Sequence, residues 1–192
     1  GIPFNDTESL RTYWVNLPDF TSSIESLQVQ RGVGTSTNGS GAFGASINIL
    51  TDAVSEDAYA EISNSVGSYD TYKNTVKFST WKINDVFELS GRLSKIDSDG
   101  YIDREFSDLK SYFLQGSYLK GSTFIKALAF GGHEKTYQSW NGVSKDQILE
   151  NRRQNPYTYE NEIDNYKQDH YQFHWNEKLN QSWSTNIGLN YT

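Results

Sequence analysis

The chain of 192 residues lacks several features that place a protein in a class. It has no cysteine, which excludes a disulfide framework and a thiolate metal site. No apolar run approaches the roughly 18 residues of a membrane-spanning helix, so a helical membrane protein is excluded. Basic residues are outnumbered, 17 against 24 acidic ones, and the net charge of -7 argues against a nucleic-acid partner. The chain starts at Gly1 without a leader, and we therefore expect a processed product or a fragment.

Aromatic residues, in contrast, are abundant. They make up 15% of the chain, although the mean hydropathy is only -0.70. Strands of a membrane β-barrel reconcile these values, because they alternate lipid-facing apolar residues with lumen-facing polar ones and collect aromatics at both interfaces. On composition alone, a soluble β-sandwich remains the commoner alternative.

From about residue 57 onward, seven segments of roughly ten residues alternate with period two, which predicts about seven antiparallel strands. Residues 111–120 and 122–132 are blurred, and their faces cannot be assigned from the pattern. The clearest apolar faces consist of Tyr72, Val76 and Phe78; Phe87, Leu89 and Leu93; Tyr171, Phe173 and Trp175; and Ile187, Leu189 and Tyr191.

The predicted connections alternate in length. Residues 82–85, 120–122 and 177–181 are short turns, whereas 97–108 and 133–165 are long polar loops. Short turns at one end and long loops at the other are typical of an outer-membrane barrel, with the long loops extracellular. The connection at residues 67–70 is a short exception.

Two patterns imitate known sites. Gly39, Gly41 and Gly44 match a dinucleotide-binding fingerprint, but a β-rich segment follows them instead of the required helix. His170 and His174 have the spacing of helical metal ligands, yet on a strand their Cα atoms are about 13 Å apart. We therefore expect a loop and two lumen-facing polar residues, with no metal site and no cofactor.

An acidic cluster is the third such pattern. These carboxylates offer a pair for glycoside hydrolysis, but that chemistry requires defined separations, and a solvated loop is the simpler interpretation. No hydrolase elbow, P-loop or zinc motif accompanies them, so no catalytic residue is predicted and the chain is not expected to be an enzyme. The cluster consists of Glu160, Glu162, Asp164 and Asp169.

Residues 24–52 resemble the end of the plug domain of TonB-dependent outer-membrane receptors, in the form found in Bacteroidetes-type bacteria. A strand ending in Arg-Gly leads through a small-residue loop to Ile-Asn-Ile, and residues 1–6 look like an earlier plug motif. Val33 replaces a frequent Pro, and Ala45 replaces a Gly. The matching positions are Ile24, Glu25, Leu27, Val29, Arg31, Gly32, Gly41, Gly44, Ile47, Asn48 and Ile49.

The resemblance implies an all-β fold with a small α+β plug remnant at residues 1–52. Residues 53–192 would be the first strands, about seven, of an antiparallel up-and-down transmembrane barrel that is incomplete. A whole receptor of about 22 strands lies in the outer membrane of a Gram-negative bacterium, in contact with its lipid. It imports a scarce nutrient (an iron-siderophore, haem, cobalamin or oligosaccharide) with energy from TonB, which contacts a segment upstream of Gly1.

The resemblance also implies which residues join plug to barrel and which face the ligand. Arg31 is expected to join plug to barrel. Aromatic rings of the long loop could stack on a small nutrient ligand. The alternative function is a soluble β-rich carbohydrate-binding or adhesion module, with a hydrolase third. The candidate ligand-facing residues are Asn38 and Phe43 in the plug loop and Tyr137, Trp140, Tyr157 and Tyr159 in the long loop.

Overall fold

A two-stranded sheet follows two short helical turns at the start of the chain. The computed structural model describes residues 4–5, 11–34, 44–55 and 57–192. The turns are 3-10 helices at Trp14–Asn16 and Phe20–Ser23, and the antiparallel strands are β1 (Ile24–Arg31) and β2 (Ala45–Thr51). After Pro18, a helical turn therefore leads directly into a strand. We call residues 11–34 and 44–55 the N-terminal segment.

A second, larger sheet contains seven antiparallel strands in sequence order, each paired with the next. The predicted fold class is therefore confirmed. Among the described residues, no helix combines the length and apolar character needed to cross a membrane. The strands are β3 (Tyr59–Gly67), β4 (Thr71–Ser79), β5 (Phe87–Ser98), β6 (Ser107–Lys120), β7 (Thr123–Tyr137), β8 (Ile163–Lys178) and β9 (Ser184–Tyr191).

The seven-stranded sheet buries polar side chains and exposes apolar ones. In β5, Arg92 is 1% exposed and its neighbour Leu93 is 58% exposed. Glu88 and Gln115 are buried on the same face as Arg92. A protein whose surface faces water does the reverse, because burial of apolar area is what stabilises it. The exposed face carries Val76, Leu89, Leu114, Tyr171, Phe173 and Leu189.

Strands β6 and β7 depart from this rule, and they are the two whose sequence pattern is blurred. Phe113, Leu128 and Phe130 are buried on the otherwise polar face. They form one core cluster with Leu17 and Phe20 of the N-terminal segment. Around Phe113 and Phe130, both faces of these strands are apolar, because the otherwise polar face packs against the N-terminal segment there. The period-two alternation is lost for that reason.

The connections fall into the expected two classes, but the long loop is shorter than predicted. It covers residues 138–162, because β7 and β8 continue beyond the predicted ends, and it contains the helix α1 (Lys145–Glu150). Ser144 and Gln147 form a reciprocal capping box at the start of α1. The prediction of a solvated loop was wrong for Asp164 and Asp169, since both lie in β8.

Candidate functional site

Asp19 joins the N-terminal segment to β4 and β5 of the large sheet and, through Arg92, to β6. Its carboxylate accepts hydrogen bonds from Arg92 Nη1 at 3.0 Å and from Ser94 Oγ at 2.6 Å. Lys73 Nζ lies 2.5 Å from the other carboxylate oxygen. Arg92 Nη1 also donates to Ser111 Oγ in β6 at 3.1 Å. We call these five side chains the Asp19 cluster.

Burial and charge act in opposite directions on Asp19. Burial raises the pKa of its carboxyl group. The hydrogen bonds from Lys73, Ser22 and Ser94 and the charge of Arg92 together lower the pKa by more than burial raises it. The pKa therefore lies below its ordinary value. The carboxylate is thus ionised at neutral pH. Since charge-assisted hydrogen bonds are the stronger class, the cluster is a specific tie between segment and sheet.

An aromatic contact lies beside the Asp19 cluster. Phe20 packs against Phe113 and Phe130, with ring centroids 6.4 Å and 5.3 Å away. Close approach of the segment to β7 depends on Gly132, where an added Cβ would lie 2.4 Å from Pro18 Cδ and 2.7 Å from the Asn16 carbonyl oxygen. Gly132 therefore provides the space in which the backbone of the segment lies against the sheet.

A second charged contact lies where the N-terminal segment leads into β3. Asp52 forms an ion pair with Lys77 at 3.1 Å. Lys126 donates to Thr51 Oγ1 at 3.0 Å. A cavity of about 20 Å³ adjoins Asp52 and Glu88, large enough for one water molecule. Glu88 Oε2 has no hydrogen-bond partner among the described residues, so a water there would satisfy it.

Arg31, the predicted contact between plug and barrel, is exposed at the end of β1. It forms no ion pair with any residue that the structure describes. Its role as a contact residue stays a prediction. Arg92 and Asp19 hold segment and sheet together instead within this part of the chain. Sequence reasoning missed Arg92, because charged residues are common on the polar face of a barrel strand and its partner lies 73 residues away.

The long loop is tied to the loop at residues 99–106. Arg104 donates to the carbonyl oxygens of Asn155 and Tyr157. Asn155 is buried and donates in turn to the carbonyl oxygens of Asp103 and Gln138. These bonds fix the position of residues 155–157 relative to the ends of β5, β6 and β7.

The predicted ligand-facing residues lie in three different settings. Trp140 is exposed, and its ring centroid lies 6.1 Å from that of the half-buried Tyr157. Tyr159 is exposed nearby, and its carbonyl oxygen accepts from the hydroxyl of Tyr137 at 2.6 Å. Tyr137 is buried, so its ring supports the loop from below. The open aromatic surface is formed by Trp140 and Tyr157. The remaining candidates, Asn38 and Phe43, lie outside the described residues.

The histidines of β8 occupy the polar face of the sheet, as expected. The ring of His170 stacks on Phe130 at 4.8 Å, and His174 lies four residues further along the strand. Within the described ranges no group of three His, Cys, Asp or Glu side chains could hold a metal ion.

Solved structures share this arrangement of strands. The complex of FpvAI with pyocin S2 superimposes with a TM-score of 0.73 at 14% identity, over 88% of this chain and 24% of that one. The ferric-catecholate import receptor Fiu of E. coli K12 gives a TM-score of 0.74 at 14% identity, over 88% and 28%. The chain has the fold of a TonB-dependent receptor. FpvA of P. aeruginosa bound to heterologous pyoverdines gives a further match to this receptor fold, with a TM-score of 0.73 at 15% identity, over 88% of this chain and 24% of that one.

The sequence comparison agrees with this receptor fold. The metal-pseudopaline receptor CntO of Pseudomonas aeruginosa is 26% identical over 95 residues, which are 50% of this chain and 13% of CntO. No family model matches. The chain spans only a small part of each relative's length. These relatives are receptors and not enzymes, which confirms the expectation that the chain is not an enzyme.

Proposed function

We propose that this chain forms part of an outer-membrane receptor that imports a metal chelate with energy supplied by TonB. The orientation of the large sheet is the observation that carries this proposal. Its buried face holds Arg92, Glu88 and Gln115, and its exposed face holds Leu93 and Leu114. Such a sheet is stable when lipid surrounds it, because the lipid covers the outward apolar face and keeps it from water.

The N-terminal segment takes the role of the plug in this proposal. It lies against the polar face of the sheet, which corresponds to the lumen of a barrel. Asp19, Phe20 and Asp52 make the contacts with that wall. A lumen of about 22 strands would leak without such an obstruction. Transport then requires that TonB weaken these contacts to open a path.

The ligand side is assigned to the end of the sheet with the long loops. Trp140 and Tyr157 offer an aromatic surface there, and Arg104 and Asn155 hold it in place. Aromatic rings bind flat or conjugated groups by stacking, with little loss of side-chain entropy. A metal chelate is favoured among the nutrients of this class because the named relatives bind metal-pseudopaline, ferric catecholates and iron-pyoverdine.

Location can be tested on the full-length protein that contains this chain. We expect it to sediment with outer membranes, to require detergent for extraction, and to shift in gel mobility when heated, as stable barrels do. Recovery of a monodisperse protein from the soluble fraction without detergent would favour the soluble carbohydrate-binding module instead.

Import can be tested by growth under iron limitation on a panel of ferric siderophores, with haem and cobalamin as further substrates. We expect that deletion of the gene abolishes growth on one chelate only. Trp140→Ala should weaken binding of that chelate by about fivefold, since one stacked ring contributes about 1 kcal/mol. The matched control is Trp183→Ala, which removes an equally exposed ring at the opposite end of the sheet.

A further inference from the structure

The dipeptide Asn141–Gly142 follows Trp140 directly in the long loop. Both of its residues are exposed and lie between β7 and α1, in neither a helix nor a strand. Neither forms a hydrogen bond with any residue that the structure describes. The side-chain amide of Asn141 and the backbone N–H of Gly142 are therefore open to water and held by no partner in that part of the chain. The same dipeptide at Asn38–Gly39 lies outside the described residues.

An asparagine followed by a glycine is chemically labile in such a setting. Asparagine is one of the thermolabile residues of proteins, and its Cγ can be attacked by the backbone nitrogen of the next residue. A helix or strand prevents this attack, because it fixes the backbone and engages the N–H in a hydrogen bond. A side chain on the next residue also hinders it, and glycine has none. Both obstacles are missing at Asn141 and Gly142.

The reaction at this dipeptide needs no reagent other than water. The nitrogen of Gly142 forms a bond to Cγ of Asn141, the bond from Cγ to Nδ2 breaks, and Nδ2 leaves as ammonia with the proton of the Gly142 amide. A five-membered succinimide ring remains. Water then adds to one of the two ring carbonyl carbons and breaks the bond between that carbon and the ring nitrogen. Opening at Cγ gives aspartate, and opening at the backbone carbonyl carbon gives isoaspartate, whose main chain is one carbon longer.

A second dipeptide that can close this ring, Asp99–Gly100, is held by its surroundings. The backbone N–H of Gly100 donates to Ser98 Oγ at 3.2 Å, and that of Asp99 donates to the carbonyl oxygen of Tyr69 at 2.9 Å. Gly100 has a left-handed backbone with φ of 70°, and these two bonds keep it there. The structure thus restrains this dipeptide and leaves the one in the long loop open.

Conversion of Asn141 would act on the open aromatic surface beside it. Tyr157 keeps its place, because Arg104 donates to its carbonyl oxygen. Trp140 is 77% exposed, and its ring is placed only by the backbone and by its contact with Tyr157. An added main-chain carbon at the next residue shifts the ring of Trp140 relative to Tyr157. The new carboxylate also places a negative charge beside that ring.

We propose that Asn141 is a site of spontaneous deamidation, and that its conversion to isoaspartate or aspartate weakens the ligand surface as the receptor ages. The effect on the ligand rests on the proposed function. The covalent change does not depend on it, because it requires only the open Asn141–Gly142 dipeptide and water.

The test incubates the full-length receptor in detergent and mildly alkaline buffer, with peptide mapping by mass spectrometry. We expect isoaspartate and aspartate to accumulate at position 141, faster at higher pH because the attacking nitrogen must lose its proton. Gly142→Ala should slow this conversion by about fivefold or more, since a methyl group restricts backbone rotation. The variant is expected to fold, because a Cβ there would meet no atom within 4 Å. Asp99 and Asn151, whose side-chain amide donates to Asp103 at 2.8 Å, are internal controls and should stay unmodified.

Binding of the chelate is measured on the same samples. Fully converted receptor should bind it about fivefold more weakly than fresh receptor, as for loss of the stacked ring of Trp140. Asn141→Gln keeps an amide but cannot close the five-membered ring, so its binding should survive incubation.

The outcomes separate the covalent change from its effect and from the proposed function. Absence of isoaspartate at position 141, or equal conversion in Gly142→Ala, overturns the deamidation. Conversion with unchanged chelate binding overturns its effect on the ligand surface. A receptor that converts at Asn141 but binds no chelate even when fresh supports the deamidation and refutes the proposed function.

Discussion

Asp19→Asn is the most informative change, because it removes one charge and little else. Asp19 has a left-handed backbone with φ of 53°, a conformation that Asn adopts more readily than most residues. The substitution leaves Arg92, which is 1% exposed, without its ion-pair partner. Removing one partner of a buried ion pair costs about 3–5 kcal/mol. Lys73 is one-third exposed and can turn to water, so we take the lower end, about 3 kcal/mol.

The assay is hydrogen exchange of residues 14–23 in the full-length receptor. These residues form two short 3-10 turns that do not persist alone in water, so their amide protection reports docking on the sheet. A loss of about 3 kcal/mol accelerates their exchange by about 150-fold. Exchange in β6 and β7 should stay unchanged.

Two variants make this result decisive. Asp97→Asn is the same substitution in the exposed ion pair with Lys95, which contributes below about 1 kcal/mol. Arg92→Gln in the Asp19→Asn background removes the unpaired charge and should restore part of the protection. A change below about threefold for Asp19→Asn would refute the conclusion that the Asp19 cluster holds the segment on the sheet.

Three further predictions concern contact, lipid and pH. Gly132→Ala should destabilise docking by about 1–3 kcal/mol, seen as faster exchange at residues 14–23, because its Cβ would overlap Pro18. Leu93→Lys should lower the yield of heat-modifiable receptor, since a lysine on the lipid face is destabilising, by about 2–4 kcal/mol at the midplane and by less towards the boundary where Leu93 lies. The lowered pKa of Asp19 predicts that docking is fully stabilised above about pH 4 and weakens as pH falls through the lowered pKa, and Asp19→Asn should remove this dependence.

The first two of these predictions have a control in the same chain. Gly116→Ala should leave exchange unchanged, because a Cβ there meets no atom within 4 Å. Leu149→Lys changes an exposed leucine of the long loop and should leave the yield unchanged. Equal effects of Leu93→Lys and Leu149→Lys would contradict a lipid-facing position for Leu93. Stability of Asp19→Asn that falls with acid as in the wild type would assign the pH dependence to another group.

The strands were predictable because their alternation is local. A residue's face follows from its neighbours two positions away, which is why the assignments around Phe87 and Tyr171 are correct. The alternation did not show which face of the strand is buried around Phe113 and Phe130. These positions on the polar face are apolar because they pack against Phe20, which comes from a distant part of the chain.

The Asp19 cluster could not be predicted for a related reason. Its ion pair joins positions 73 residues apart, and only the docking geometry selects Arg92 over other cations such as Arg31. Tyr137, at the end of β7, shows the same dependence beside the long loop. Its hydroxyl bonds to the backbone of Tyr159, and nothing in the spacing of aromatic residues distinguishes a buried supporting ring from an open one such as Trp140.

The composition of the Asp19 cluster determines the order in which the molecule can assemble. The cluster takes Lys73 from β4, Arg92 and Ser94 from β5, and Ser111 from β6, so it is complete only after these three strands lie side by side. The N-terminal segment therefore precedes these strands in the sequence but can dock only after they have paired. Until then, Arg92 lacks its ion-pair partner, and water must fill the space that Asp19 and Phe20 later occupy on the sheet.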